Sequence, residues 1–238
     1  MSNDQYLIIN FPFETDTNDK CKKLTWTKTG TLSIQNTSSL TDFNNNTRFS
    51  KAMILKSKNS LLKSNKFDFG GQNFTIECWS YSISDQNKYF FNLRNSQMSQ
   101  IIIIGYQNSA VAFFLNNSFH SDKIMTSNFL NTWHHTACCY IHNQSKLYCY
   151  VDGQLNQINN FSLNKDSTIF FEIGCYYDSS FINSYIKDVK IYNGIALYTN
   201  DYIDNIGEFR KTEIINNNTK RSVNTNYKQI NYKSYEFM

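Results

Sequence analysis

Proline occurs once, at Pro12, and glycine only eight times in 238 residues. Turns must therefore be built from Asn, Asp and Ser, whose short polar side chains bond to nearby backbone. The codon bias of an AT-rich genome accounts for the matching abundance of Asn, Ser, Lys and Ile. Long apolar runs are missing as well: "IIII" (101–104) is far too short to cross a bilayer. The start, "MSNDQYLIINFPFE", has neither the basic beginning nor the apolar stretch of a secretory leader, so neither export nor membrane insertion is expected. Six cysteines (Cys21, Cys78, Cys138, Cys139, Cys149 and Cys175) lack the C-x-x-C spacing of a zinc site. Several fall inside apolar segments, where a reduced thiol acts as a small hydrophobe, and folding in a reducing cytosol is expected.

Charge of one sign is also scarce. The net charge is +4, and from Ile206 onward six Lys or Arg face three Glu, which leaves the body almost neutral. A broad phosphate-binding surface, and with it a nucleic-acid partner, is not expected.

Aromatic residues are plentiful at 16 %, and Tyr and Phe dominate that share, which favours strands. Short alternating segments recur: "FTIECWSYSI" (74–83), "KYFFNLR" (88–94), "QIIIIGY" (100–106) and "AVAFFLN" (110–116). "TWHHTACCYI" (132–141) and "KLYCYVDGQL" (146–155) flank "HNQS", a plausible hairpin loop, and Asp152-Gly153 is a strong tight-turn dipeptide. "TIFFEIGCYY" (168–177) and "YIKDVKIY" (185–192) complete the series. Many short strands without intervening helices predict an all-β antiparallel sandwich of jelly-roll type. Residues 12–30 and 36–50 read as loops or irregular strands. Only "GIALYTNDYIDNI" (194–206) invites a brief helical turn. The domain is expected over residues 1–205, followed by an arm over 206–238. That arm joins a polar spacer, "NNNTKRSVNTN", to an aromatic stretch, "YKQINYKSYEF" (227–237). It would either add to another subunit's sheet edge or fold back on its own domain.

The order "FTIECW", "TWHHTACCY", "LYCYVDGQL", "FEIGCYY", "YIKDVKIYNGIALYT" resembles the laminin-G-like, concanavalin A-like lectin/glucanase jelly roll over roughly residues 6–205. The resemblance implies that Trp133, Val151 and Ile191 share one interior and that Ile195–Tyr198 cap its open end. "GIALYT" looks like the version of this domain found in virion proteins of bacterial viruses, although that version usually continues with prolines.

Several residues are candidates for chemistry. Glycosidases of this superfamily need closely spaced carboxylates of the form ExDxxE on one strand; "FFEIG" offers Glu172 alone, so no enzyme is expected. His134 and His135 are adjacent on a strand and point to opposite faces, so they cannot chelate one ion together. The same rule separates Cys138 from Cys139 and predicts one packed and one partly exposed thiol. Asp16, Asp19 and Asp188 fall near positions where relatives carry acidic residues around calcium, an ion that needs six to eight oxygens. Tyr176, Tyr177 and Asp178 could stack on and hold a sugar. The leading expectation is a non-enzymatic structural or adhesive virion component (capsid decoration, head fibre or tail protein). It would fold in the host cytoplasm and bind other virion proteins or its own copies through the arm. The alternative is a lectin-like module that attaches to cell-surface glycans.

Overall fold

A computed structural model describes residues 3–42, 44–55, 60–83, 88–95, 100–107, 110–115, 118–119, 130–163, 169–174 and 184–200. The N-terminal part contributes β1 (Leu7–Phe11), β2 (Trp26–Thr29), β3 (Ser33–Asn36), β4 (Lys51–Leu55) and β5 (Leu61–Ser64). Then come β6 (Phe74–Ser82), β7 (Lys88–Asn95), β8 (Gln100–Gln107), β9 (Ala110–Leu115) and the two-residue β10 (Ser118–Phe119). The last five are β11 (Trp133–Ile141), β12 (Lys146–Val151), β13 (Gln154–Asn160), β14 (Ile169–Gly174) and β15 (Ser184–Asn193). Among the described residues the helical elements are two single 3-10 turns, Asn3–Gln5 and His142–Gln144.

Two antiparallel sheets result. One runs β13-β12-β11-β6-β15-β4-β3, with β1 added beside β15; the other runs β10-β9-β8-β7-β14-β5-β2. We call them the first and second sheets. β15 is flanked by β6 on one side and shares its other side between β4 and β1. The switch is made at a bulge between Lys187 and Lys190, where Asp188 takes a left-handed φ of 47°.

Alternation places the core. Ile76 and Cys78 of β6, Cys138 and Tyr140 of β11, and Ile186, Val189 and Ile191 of β15 face the second sheet. Phe91, Leu93, Ile102, Ile104, Phe171 and Ile173 answer from that sheet. Aromatic rings thicken the layer: Phe69 stacks on Phe74 at 4.2 Å and meets Phe171 edge-on at 5.8 Å.

Two turns fix the register. Asp152 and Gly153 join β12 to β13 with φ of 50° and 77°, the paired left-handed geometry of a tight hairpin. Gly174 ends β14 at φ 119°, and an added Cβ there would collide with the Ser60 carbonyl oxygen.

The segment 195–200, expected to start a helical turn, is not helical. Thr75 removes the local option: its hydroxyl donates to the Ile195 carbonyl at 3.1 Å and accepts the Leu197 N–H at 2.9 Å. Residues 201–206, the rest of that expected turn, and the whole arm over 206–238 lie outside the described residues.

Candidate functional site

The outward face of the first sheet carries Trp79, Tyr81, Trp133, Ala137, Cys139 and Tyr150, all buried in a second apolar cluster. Trp133 therefore does not share the inter-sheet core with Val151 and Ile191, as expected from sequence; it occupies the opposite side of β11. Residues 37–42 and 44–50 cover this face, with Leu40 and Phe49 packed on it. Asp42 organises them by accepting the N–H groups of Asn44 and Asn46, each at 2.9 Å, and pairing with Arg48 at 3.0 Å. Arg48 lies 4.5 Å above the Trp79 ring, and Phe49 packs edge-on against Trp79 and Trp133.

The closing segment covers the same face rather than the open end of the sandwich, since Ala196 and Tyr198 join this outer cluster. Its presence corrects a second expectation. Cys138 and Cys139 do point oppositely, yet both are fully buried. Burial raises three thiols here: Cys78 and Cys139 to about 12, and Cys138 well above the ordinary range, with Cys149 Sγ at 3.8 Å adding to the effect on Cys138.

The paired histidines separate as the strand period requires. His134 turns inward, its Nδ1 2.6 Å from Asp152 Oδ2. His135 turns outward, its Nε2 3.6 Å from Glu77 Oε2. Asp152 also accepts the His135 N–H at 2.9 Å, so the hairpin turn clamps β11. Ser80 lies opposite His134 on β6, which brings Ser, His and Asp together. The set is not a nucleophilic triad: Ser80 is fully buried and its hydroxyl is bonded to Tyr106 Oη at 2.5 Å. On the outer side, burial opposes ionisation of Glu77, but His135, Lys190 and the Tyr198 hydroxyl at 2.5 Å outweigh it and hold the carboxyl below its ordinary range.

An open cleft of about 170 Å³ lies at the margin of this outer face. Asn73 enters it from the residue before β6, Ile141 from the end of β11, and Asn143 and Gln144 from the 3-10 turn. Tyr148 of β12 and Ala196 and Thr199 of the closing segment complete the lining. The parts are fixed in place. Asn73 accepts the His142 N–H at 2.8 Å, and its carbonyl accepts that of Gly194 at 2.7 Å. Tyr148 Oη donates to Gln144 Oε1 at 2.9 Å. Among the described residues the lining contains no charged side chain; it combines one aromatic ring with amides and a hydroxyl, a chemistry suited to a neutral polyhydroxylated ring. Sequence reasoning missed it because its pieces are scattered over residues 73–199 and none forms a motif.

Glu172 points away from the core on the second sheet. Its Oε2 meets Arg94 Nε at 3.0 Å and Asn92 Nδ2 at 3.1 Å, and its Oε1 lies 3.4 Å from Lys63. Both oxygens are thus engaged by cationic or amide groups within a buried network, an arrangement for structure rather than for glycosidic acid catalysis.

The acidic residues expected near calcium are not gathered. Asp16 pairs with Lys20 at 2.9 Å, and that bond and the Asn18 N–H keep its carboxyl below the usual range. Asp19 accepts the N–H groups of Asn10 and Cys21 and the Trp26 indole N–H. Asp188 sits at the β15 bulge, where burial raises its carboxyl against the pull of Lys190 and Lys187. Among the described residues no three His, Cys, Asp or Glu side chains converge on a site for an ion. Tyr176, Tyr177 and Asp178 lie outside the described residues.

Sheet order, two-sided packing and hairpin turns define the class: a two-sheet antiparallel jelly roll. The sequence profile of the concanavalin A-like lectin/glucanases superfamily matches residues 56–199, more than half of the chain, and the chain belongs to that superfamily. A search of curated protein sequences finds no match. Among solved structures, domain 4 of AbnA, a GH43 extracellular arabinanase from Geobacillus stearothermophilus, in complex with arabinotriose, matches with a TM-score of 0.57 at 14 % identity. That match covers 80 % of this chain and 93 % of the arabinanase domain. The binding domain of Paraclostridial Mosquitocidal Protein 1 matches with a TM-score of 0.60 at 13 % identity, over 83 % of this chain and 51 % of that one. The receptor binding domain of botulinum neurotoxin C/D mosaic serotype matches with a TM-score of 0.58 at 13 % identity, over 81 % and 48 %. The chain thus spans about half the length of the two toxin binding domains, and these likenesses establish a common fold.

Proposed function

We propose that this domain is a non-catalytic carbohydrate-binding module that takes a neutral oligosaccharide at the cleft beside Tyr148. The observation that carries the reading is the lining, uncharged among the described residues, in which Tyr148 offers a ring face and Asn73, Asn143, Gln144 and Thr199 offer amide and hydroxyl groups. Domain 4 of the arabinanase supports it, because nearly the whole of that domain matches and it was solved with a neutral trisaccharide. The toxin binding domains fit a binding rather than a catalytic role. Calorimetry against arabinotriose and a glycan array of neutral and acidic sugars test the proposal. Binding of a neutral glycan, weakened at least tenfold in Tyr148→Ala with the fold intact, is expected. Absence of any neutral ligand, or a Tyr148→Ala protein that binds equally well, would overturn it.

A second reading rests on the form of the closing segment "GIALYT": the module belongs to a phage-like virion, where glycan attachment would serve adhesion. The arm over 206–238 would then join it to other virion proteins. Mass spectrometry of purified particles tests this placement; absence of the chain from every such particle would refute it.

A further inference from the structure

The register of the first sheet sets apolar and amide groups side by side in the cleft. β6 and β11 pair Phe74 with Tyr140, both facing the inter-sheet core. One step further along the ladder Asn73 stands opposite Ile141, and alternation turns both to the outer face. Tyr148 reaches the same face, since it pairs with Cys139 of the outer cluster. Thr75, two residues after Asn73, holds the backbone on either side of Ala196 through the Ile195 carbonyl and the Leu197 N–H. Ile141 and Ala196 are thus the apolar part of the described lining, whose other members are Tyr148, two asparagines, a glutamine and a threonine.

The internal hydrogen bonds give this lining a direction. The Asn73 side-chain oxygen accepts the His142 N–H at 2.8 Å, and the Gln144 side-chain oxygen accepts the Tyr148 hydroxyl at 2.9 Å. Each of these amides keeps its two N–H donors for a ligand, whereas Asn143 and Thr199 serve in either sense. A sugar hydroxyl both donates and accepts, so one-way donors match it only in part. A carbonyl oxygen only accepts, through two lone pairs. A carboxylate also accepts, but it brings a charge that no described lining residue balances.

We propose, on the reading of this cleft as a glycan site, that its ligand is an N-acetylhexosamine recognised through the acetamido group. The acetamido carbonyl accepts from the amide N–H groups of Asn73 and Gln144, its methyl covers Ile141 and Ala196, and the sugar ring lies on Tyr148. A sugar with a hydroxyl in place of that group satisfies neither the fixed donors nor the apolar pair. The two amides are already held by bonds inside the protein, so little side-chain freedom is lost when the ligand arrives.

Calorimetry on the full chain compares N,N′-diacetylchitobiose with cellobiose, which has the same linkage and hydroxyls in place of the acetamido groups. Binding of the acetylated sugar about tenfold or more tighter is expected, as one or two hydrogen bonds and a methyl contact imply. Asn73→Asp and Gln144→Glu each keep the oxygen that accepts inside the protein and remove the amide donors. Each should reduce that preference, and together they should abolish it, with the circular-dichroism spectrum unchanged. Equal affinity for the two sugars, binding of arabinotriose alone, or a preference that survives the double variant would overturn this inference and leave the glycan site standing. Failure of every neutral glycan to bind would overturn the glycan site itself, and this inference with it. If the Asn73→Asp chain does not fold, Gln144→Glu decides, because Gln144 lies exposed on the 3-10 turn.

Discussion

Replacing Asp152 with Ala should be among the most damaging single changes in this domain, although the residue sits in a hairpin turn. Three losses combine. Ala must hold the left-handed φ of 50°, which costs about 1 kcal/mol or more for a residue with a Cβ and no local hydrogen bond. The His135 N–H, buried and now bonded to Asp152 Oδ1 at 2.9 Å, loses its acceptor at a cost of about 1–3 kcal/mol. His134, 1 % exposed, loses the carboxylate 2.6 Å from its Nδ1 at a similar cost of about 1–3 kcal/mol. The sum, about 3–7 kcal/mol, is a large part of the roughly 5–15 kcal/mol by which domains are stable. Asp152→Asn tolerates the same φ and keeps an acceptor for His135, so it should lose only the charged contact, about 1–2 kcal/mol. Urea unfolding at neutral pH, followed by fluorescence and circular dichroism together, measures both. An alanine variant within 1 kcal/mol of wild type, or asparagine as damaging as alanine, would refute the clamp as a determinant of stability (the threshold is roughly one neutral hydrogen bond).

Gly174→Ala is expected to destabilise by roughly 2–4 kcal/mol, because φ is 119° and the new methyl meets the Ser60 carbonyl; unfolding curves matching wild type would show that β5 can move aside. The buried thiols predict alkaline sensitivity. Cys78, Cys138 and Cys139 have folded values raised above the unfolded value near 9, so the stability they contribute is complete below pH 9 and is lost as pH rises towards about 12. Melting temperature should fall steadily above pH 9, and a thiol reagent at neutral pH should leave these three unmodified until the chain unfolds. Rapid labelling of Cys139 in the native protein would contradict the cover given by residues 195–199.

Much of this architecture is readable in the residues themselves. The period of two in "FTIECWSYS" and "WHHTACCYI" identifies β6 and β11, and it also sends His134 and His135 to opposite faces. Asp152-Gly153 marks its hairpin because few residues tolerate two successive left-handed angles. The outer face of the first sheet was not readable. Alternation tells which residues share a face but not whether that face is wet, and Trp133 and Cys139 are buried there because Leu40, Phe49, Ala196 and Tyr198 return to cover it.

Local pattern thus determined strand positions, facing and the family of folds, since those depend on interactions a few residues long. Distant contacts decided the rest: Thr75 holding the closing segment, Asp152 clamping β11, and Tyr148 joining Asn73 and Thr199 around one cleft. Such pairings join residues tens of positions apart, and only the register of a whole sheet brings them within bonding distance.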